Sequence, residues 1–242
     1  GAIDTKLEFT IFDKVDRRLR VQADLTQAKI SAPALGWTKA KGAKGQADFT
    51  FNFAKNLVVG VPNFSVGAGD LSVVGAAKYA LDGSGLERID FKKVAYGRTN
   101  MSGSLIPSSD GAWEAGFQGE SFDLSPQWQD VLSQISSGDE SNETLLDRLT
   151  LAVELKKVWL EDDMALYDVS GTFARDGDTW RTVLLKSRIS NDADLELAIR
   201  PGPDGNRRLT MRSNNAGKVL KFLDYYENMI GGEFSVTGTF DD

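Results

Sequence analysis

The chain of 242 residues has no cysteine and no histidine. Their absence excludes disulfides, thiol nucleophiles, Ser-His triads and almost every zinc site. Clustered positive charge is also missing. With 28 Lys and Arg against 35 Asp and Glu the net charge is −7, and no nucleic-acid partner is expected, because a phosphate backbone demands grouped cations. The one basic grouping, Lys39, Lys41 and Lys44, reads as a solvated loop. No apolar run reaches the ~18 residues of a membrane-spanning helix, and no signal peptide is evident. No phosphate-binding spacing links Gly36, Gly42, Gly45, Gly60, Gly67 and Gly69, so they read as turns and bulges in a twisted sheet.

What is present is alternation with period two. Phe49, Phe51 and Phe53 alternate with Asp48, Thr50 and Asn52. The stretches Leu149 to Leu155 and Phe234 to Thr237 do the same. Further strands are expected at Leu7 to Phe12, Leu19 to Leu25, Leu86 to Phe91, Trp113 to Phe117, Val183 to Ile189, Leu195 to Ile199 and Leu209 to Met211. One apolar and one polar face predicts a mainly β protein of antiparallel sheet with one side in water.

Four Asp-Gly pairs punctuate the alternation: Asp82-Gly83, Asp110-Gly111, Asp176-Gly177 and Asp204-Gly205. Asp-Gly predicts tight type I′ hairpin turns, which need positive φ at both central residues. The pairs are 28 residues apart within each half, and the halves are offset by 94. The same offset relates Tyr79 to Phe173, Phe91 to Leu185, Leu105 to Ile199, Pro107 to Pro201, Phe117 to Met211 and Gly138 to Gly232. This is the mark of a duplicated unit. Each unit is expected to end in a helix. In one, Ser125-Pro126 opens it and Val131, Leu132 and Ile135 form its stripe, before a polar loop from Ser136 to Glu143. In the other, Asn214 or Asn215 caps it, Ala216, Val219, Leu220, Leu223 and Tyr226 form its face, and Gly231-Gly232 stops it. The expected division is a partial repeat over 4–46 with a turn at Asp13 to Asp16, repeats over 47–148 and 149–232, and the start of another over 233–242. The chain reads as a segment of a longer array.

Paired carboxylates are the remaining route to acid-base chemistry. Glu114 with Glu120, Glu161 to Asp163, and Asp192 with Asp194 are the candidates. A solvated strand position explains Glu114 better, an exposed turn explains Glu161 to Asp163, and Asp192-x-Asp194 lacks a calcium loop around it. No catalytic residue, metal or cofactor is therefore expected. Trp37, Trp113, Trp128, Trp159 and Trp180 could line a sugar groove, but core packing or apolar walls is the plainer reading. The informative feature is distributed. Phe49, Phe51 and Phe53, then Leu149, Leu151 and Val153, then Phe234 and Val236 form an apolar stripe that recurs once per unit, and with Leu195 and Leu197 they are the candidates for lipid contact. Periodicity alone leaves open whether it is the closed core of a sandwich or the lining of a groove for acyl chains.

Four segments carry a family resemblance. Ser213-Asn214-Asn215-Ala216-Gly217-Lys218-Val219-Leu220, followed by Gly231-Gly232-Glu233-Phe234-Ser235-Val236-Thr237-Gly238, resembles the AsmA-like proteins of the bacterial envelope, with Asn215 where Asp is usual. Gly119 to Leu124 and Pro33 to Lys39 are similar to other elements of the group, in particular its YhdP type, related to TamB. The resemblance implies a periplasmic protein held in the inner membrane by a helix outside this segment. It implies a twisted, curved, U-shaped open half-barrel with short helices after each repeat, and an apolar interior that moves phospholipid toward the outer membrane. Two other classes compete: an assembly module acting through a strand edge, and a β-sandwich glycan binder or hydrolase.

Overall fold

The structure, a computed structural model, describes residues 3–13, 15–129, 147–177, 179–203, 205–223 and 225–240. The chain is mainly β and divides into two compact units, Gly1–Pro107 and Ser108–Asp242. The first contains β1 (Asp4–Ile11), β2 (Asp16–Asp24), β3 (Ile30–Ala32), β4 (Trp37–Lys39), β5 (Gly45–Ala54), β6 (Leu57–Ala68), β7 (Leu71–Tyr79), β8 (Leu86–Tyr96) and β9 (Thr99–Pro107). Its sheet runs in the order β1-β2-β5-β6-β7-β8-β9, and the pairings are antiparallel. The first and last strands do not meet, so the sheet is open rather than a barrel.

Between β2 and β5 the chain leaves the sheet. β3, a 3-10 turn at Pro33–Leu35 and β4 form a flap. Trp37 from this flap is buried with Ala68, Val94 and Tyr96. Its indole Nε1 donates to Asp70 Oδ1 at 2.9 Å, and the Gly97 N–H donates to Asp70 Oδ2 at 2.9 Å. These two bonds, the indole first, hold the Asp70 carboxyl below its ordinary value. A lowered folded-state value means that the contribution is complete above the unfolded value and is lost as pH falls through the folded one. Acid unfolding followed by near-ultraviolet circular dichroism should therefore begin below about pH 4, and Asp70→Asn should flatten that acid limb. An unchanged acid limb would show that Asp70 does not clamp the flap.

Lys39 is not the solvated residue expected of it. It is 2% exposed. Its ammonium donates to the carbonyls of Thr26 (3.2 Å), Ala28 (2.9 Å) and Ala40 (3.2 Å). The charge fits inside because backbone oxygens replace water around it.

The second unit contains β10 (Trp113–Asp123), β11 (Arg148–Trp159), β12 (Ala165–Asp176), β13 (Thr179–Ser190), β14 (Ala193–Pro201), β15 (Arg207–Ser213), helix α1 (Ala216–Phe222) and β16 (Phe234–Phe240). Its strands lie in chain order in an open sheet. The purely antiparallel expectation needs one correction: β10 and β11 are parallel. A tight turn reverses the chain, whereas the connection between Asp123 and Arg148 is long enough to carry it back to the starting side. β16, entered after α1, is antiparallel to β15.

The expected strands are all present, and Asp82-Gly83 and Asp110-Gly111 lie between consecutive strands while Asp176 ends β12 just before Gly177, but the turn type differs from the expectation. Positive φ occurs at Gly83, Gly111, Gly177 and Gly205 and not at Asp82, Asp110 or Asp176; Asp204 lies outside the described residues. In the first, the Gly83 N–H donates to the Ala80 carbonyl and the Ser84 N–H to Asp82 Oδ1. Asp110 accepts the Ala112 N–H in the same way. The aspartate thus stabilises an ordinary turn with its side chain, and glycine alone takes the left-handed position. A hairpin turn with two positive φ values occurs instead at Lys55-Asn56, between the paired Ala54 and Leu57.

The 94-residue repeat is visible in register. Ile89, Asp90 and Phe91 pair with Leu105, Ser104 and Gly103. Val183, Leu184 and Leu185 pair with Ile199, Ala198 and Leu197, each partner displaced by the same offset.

Helix α1 is shorter than expected. The Asn215 side chain accepts the Lys218 N–H at 3.2 Å, and Leu223 already caps the other end, so Leu223 and Tyr226 are exposed rather than on a buried face. Gly231-Gly232 does not stop the helix. The Ala216 N–H donates to the Gly232 carbonyl at 2.7 Å and the Gly217 N–H to the Gly231 carbonyl at 3.1 Å. The two glycines are the far jaw of a clasp that satisfies helix-terminal donors. Ser125 does not cap the other expected helix: it lies inside a 3-10 turn, Ser125–Gln127, and its hydroxyl donates to Asp123. Val131, Leu132, Ile135, the loop from Ser136 to Glu143, and Gly138 fall outside the described residues.

Candidate functional site: a continuous apolar sheet face in each unit

Directly opposed residues in an antiparallel sheet share a face, so the pairing registers define the surfaces. In the first unit one row runs across all seven strands: Leu7, Val21, Phe49, Phe64, Gly75, Phe91 and Gly103. Phe9, Leu19 and Phe51 form part of the next row, and Phe53 lies opposite Val58. Phe49 stacks on Phe51 at 6.2 Å and on Phe64 at 6.1 Å, and Phe64 meets Phe91 edge-on at 6.2 Å. Gly75 makes that contact possible. A Cβ there would stand 2.5 Å from Phe64 Cζ and would collide with the Asp90 carbonyl oxygen.

The second unit repeats the arrangement. One row is Phe117, Val153, Gly171, Leu185, Leu197, Met211 and Val236. The next is Ala115, Leu151, Phe173, Val183, Ile199, Leu209 and Gly238. Neither row contains a polar side chain. Leu149 and Phe234 lie on the same face by alternation along their strands, and Leu195 lies opposite Ser187. The row on the other face, Gln118, Glu154, Ser170, Lys186, Glu196, Arg212 and Ser235, is entirely polar, with Lys186 and Glu196 paired at 3.1 Å.

Within each unit the structure therefore brings the predicted stripe residues together on one face. Phe49, Phe51, Phe53, Leu149, Leu151, Val153, Leu197 and Phe234 are half-buried, Leu195 is buried and Val236 is exposed. A sandwich core would bury them all, because a second sheet packs about 10 Å away and excludes water. Here, among the described residues, the flap packs against the part of the first unit's face around Val66, Leu71, Val73, Phe91 and Met101. The sequence pattern missed Phe64, Phe91, Phe173 and Met211 as stripe members. Cross-strand pairing puts them there, and alternation within one strand cannot reveal pairing.

A cavity of about 1170 Å³ in the first unit is lined by Lys6, Gln22, Asp48, Ser65 and Val74, which form a row on the other face, and by neighbouring residues. None of Phe49, Phe51 and Phe53 lines it. Its Asp48 is held below its ordinary value by Arg20 at 2.6 Å and by Gln22. Thr50 on that face is only 9% exposed.

The carboxylate candidates have separate structural partners. Glu114 is exposed, and Glu120 pairs with Lys156 at 2.7 Å. Glu161, Asp162 and Asp163 form an exposed turn closed by bonds from the Leu160 and Glu161 N–H groups to the Met164 carbonyl. Asp192 accepts from Ser190 and Lys218 and so ties α1 to β13, with its carboxyl held low by Lys218 first. Trp37 is core, while Trp113, Trp128, Trp159 and Trp180 are half-buried, and Lys157 sits over the Trp159 ring at 3.2 Å. Compared with protein-family models, curated proteins and solved structures, the chain has no match.

Proposed function

We propose that this chain is a non-enzymatic lipid-conduit segment, passing phospholipid between the two membranes of a bacterial envelope along the apolar faces of its sheets. The observation that carries the reading is that rows without a polar side chain run across the sheet of each unit and keep residues such as Phe49, Phe64, Leu151, Val153, Leu185, Leu197 and Met211 only half-buried, while Ala115, Val183 and Ile199 among them are buried. An acyl chain laid on such a face gains ~0.8 kcal/mol for each CH₂ withdrawn from water. Successive strands offer equivalent contacts, so a chain can move sideways without leaving the apolar surface. No chemistry is required of the segment. The resemblance to AsmA-like proteins supplies the periplasmic setting and the inner-membrane anchor outside this segment.

The test is photocrosslinking in cells, in the full-length protein, with the probe at Phe51 or Leu151 and controls at Ser65 and Thr150, both exposed on the polar faces. Labelled phospholipid is expected on the two apolar positions and not on the controls. Equal labelling of all four, or of none in a functional protein, would sink the conduit. A second reading, an envelope-assembly module acting through strand edges, is favoured by one observation: β1 is exposed along almost its whole length. It predicts loss of function from edge-blocking prolines and tolerance of Leu151→Asp.

A further inference from the structure

At one end of its strands the apolar face of the second unit changes chemistry. Beyond the row that holds Leu151, Phe173 and Leu209, the same face carries Arg175 opposite Leu149 and Trp180, and Arg207 opposite Pro201 and Phe240. Both arginines are half-buried, and both stand on inner strands of the sheet, β12 and β15. They converge on Trp180. The Arg175 guanidinium lies over its ring at 5.9 Å, and Arg207 Nη1 donates to its main-chain carbonyl at 3.1 Å. Arg175 Nε also donates to the Gly177 carbonyl at 2.6 Å, and Arg207 lies over the Phe240 ring at 5.4 Å. Carbonyls and rings fix where a guanidinium points, but they do not cancel its charge. No acidic side chain stands in this row. Asp176 is opposite Arg148 on the polar face, and Asp110 pairs with that same Arg148. Trp180 in turn meets Phe173 edge-on at 6.3 Å, so the cationic end and the apolar rows are in contact.

We infer that this end of the face seats the phosphate head of an amphiphile, held by Arg175 and Arg207 around Trp180, while the acyl chain lies on the rows of Leu151, Phe173 and Leu209. Charge and shape select that occupant. A guanidinium presents a planar fork of N–H donors that matches phosphate oxygens, and it keeps its charge at any working pH. Two of them meeting at one tryptophan, in a chain of net charge −7, mark the place for an anion. The apolar rows alongside reward an anion that carries a long chain. Trp180 combines an apolar ring with a polar N–H, the kind of side chain that sits where an apolar surface meets water. A free phosphate gains only the arginines, and a cationic amphiphile gains only the face. An amphiphile phosphate gains both. The inference rests on the lipid-conduit reading and adds to it the class of head group and its position: the head stays at the arginine end while the chain slides over successive strands.

Nuclear magnetic resonance titration of the chain locates the ligand. Dodecyl phosphate, kept below its micelle concentration, should shift the Trp180 indole N–H and the Leu151 and Leu209 methyls with one common Kd. Arg175→Gln and Arg207→Gln should each raise that Kd about tenfold, the loss of one charge-assisted contact. Arg200→Gln, at an exposed position opposite Arg208 on the polar face, should leave it unchanged. Dodecyltrimethylammonium should shift the same methyls with an affinity that neither arginine variant weakens, and this arm also reports that the variants keep the face folded. Inorganic phosphate alone should move the Trp180 signal only at far higher concentration. An unchanged Kd for dodecyl phosphate in both arginine variants would overturn the inference and leave the apolar face standing as a lipid surface. Inorganic phosphate binding as tightly as dodecyl phosphate would overturn it too, since the site would then be one for free anions. Methyls that respond to neither amphiphile would overturn the conduit reading itself, and the head-group seat with it.

Discussion

Gly217→Val is expected to destabilise the second unit by ~3 kcal/mol, seen as a lower urea midpoint with an unchanged slope. Glycine inside a helix is normally a weakness, and a larger residue there ordinarily improves propensity by up to ~1 kcal/mol. Here the sign reverses. A Cβ on Gly217 would collide with the Met229 carbonyl oxygen and stand 2.6 Å from its carbon and 3.1 Å from the Ile230 nitrogen. These are backbone atoms, held in place because the Gly231 and Gly232 carbonyls accept the N–H groups of Gly217 and Ala216. They cannot swing aside without opening both bonds and exposing Val219, which is 1% exposed. Gly116→Ala is the control, since nothing lies within 4 Å of a Cβ there, and it should leave the midpoint unchanged. A midpoint for Gly217→Val equal to wild type would mean that the clasp is not closed in solution.

Lys39→Met should loosen the flap and cost ~2 kcal/mol. Methionine keeps the apolar stem but removes three donated hydrogen bonds. The Thr26 and Ala40 carbonyls retain bonds from the Gly42 and Ala43 N–H groups. The Ala28 carbonyl loses the 2.9 Å bond from the ammonium, and an unsatisfied buried acceptor is the costly part. Hydrogen exchange should show faster exchange at Gly42 and at the Trp37 indole, with the Phe49 strand unaffected. Lys41→Met, at an exposed position nearby, should do neither. Protection unchanged in Lys39→Met would show that the ammonium is not needed to close the flap.

Much of the molecule was legible in its sequence because strand alternation is a local property. Phe49 to Phe53 and Leu149 to Val153 declare an apolar face residue by residue, and the Asp-Gly pairs mark where strands turn. The repeat was legible for the same reason: Phe91 with Leu185 and Leu105 with Ile199 keep their pairing partners at one offset. The lysine cluster was misread because Lys39 and Lys41 look alike in sequence, and only the folding back of residues 26–40 surrounds one ammonium with carbonyls. The helix length differs from the expectation because the apolar spacing to Tyr226 is helical, while the cap at Leu223 ends the helix after two turns.

The sequence by itself determined a mainly β chain with one apolar and one polar side, a duplicated strand unit, and the absence of thiol and imidazole chemistry. Each of these depends on residue type and on spacing along the chain. The tertiary structure alone decided the parallel joining of β10 to β11, the assembly of Phe64, Phe91, Phe173 and Met211 into the stripe, and the half-burial of that stripe. These depend on which strands become neighbours and on what, if anything, covers them, and alternation within a single strand carries no information about either.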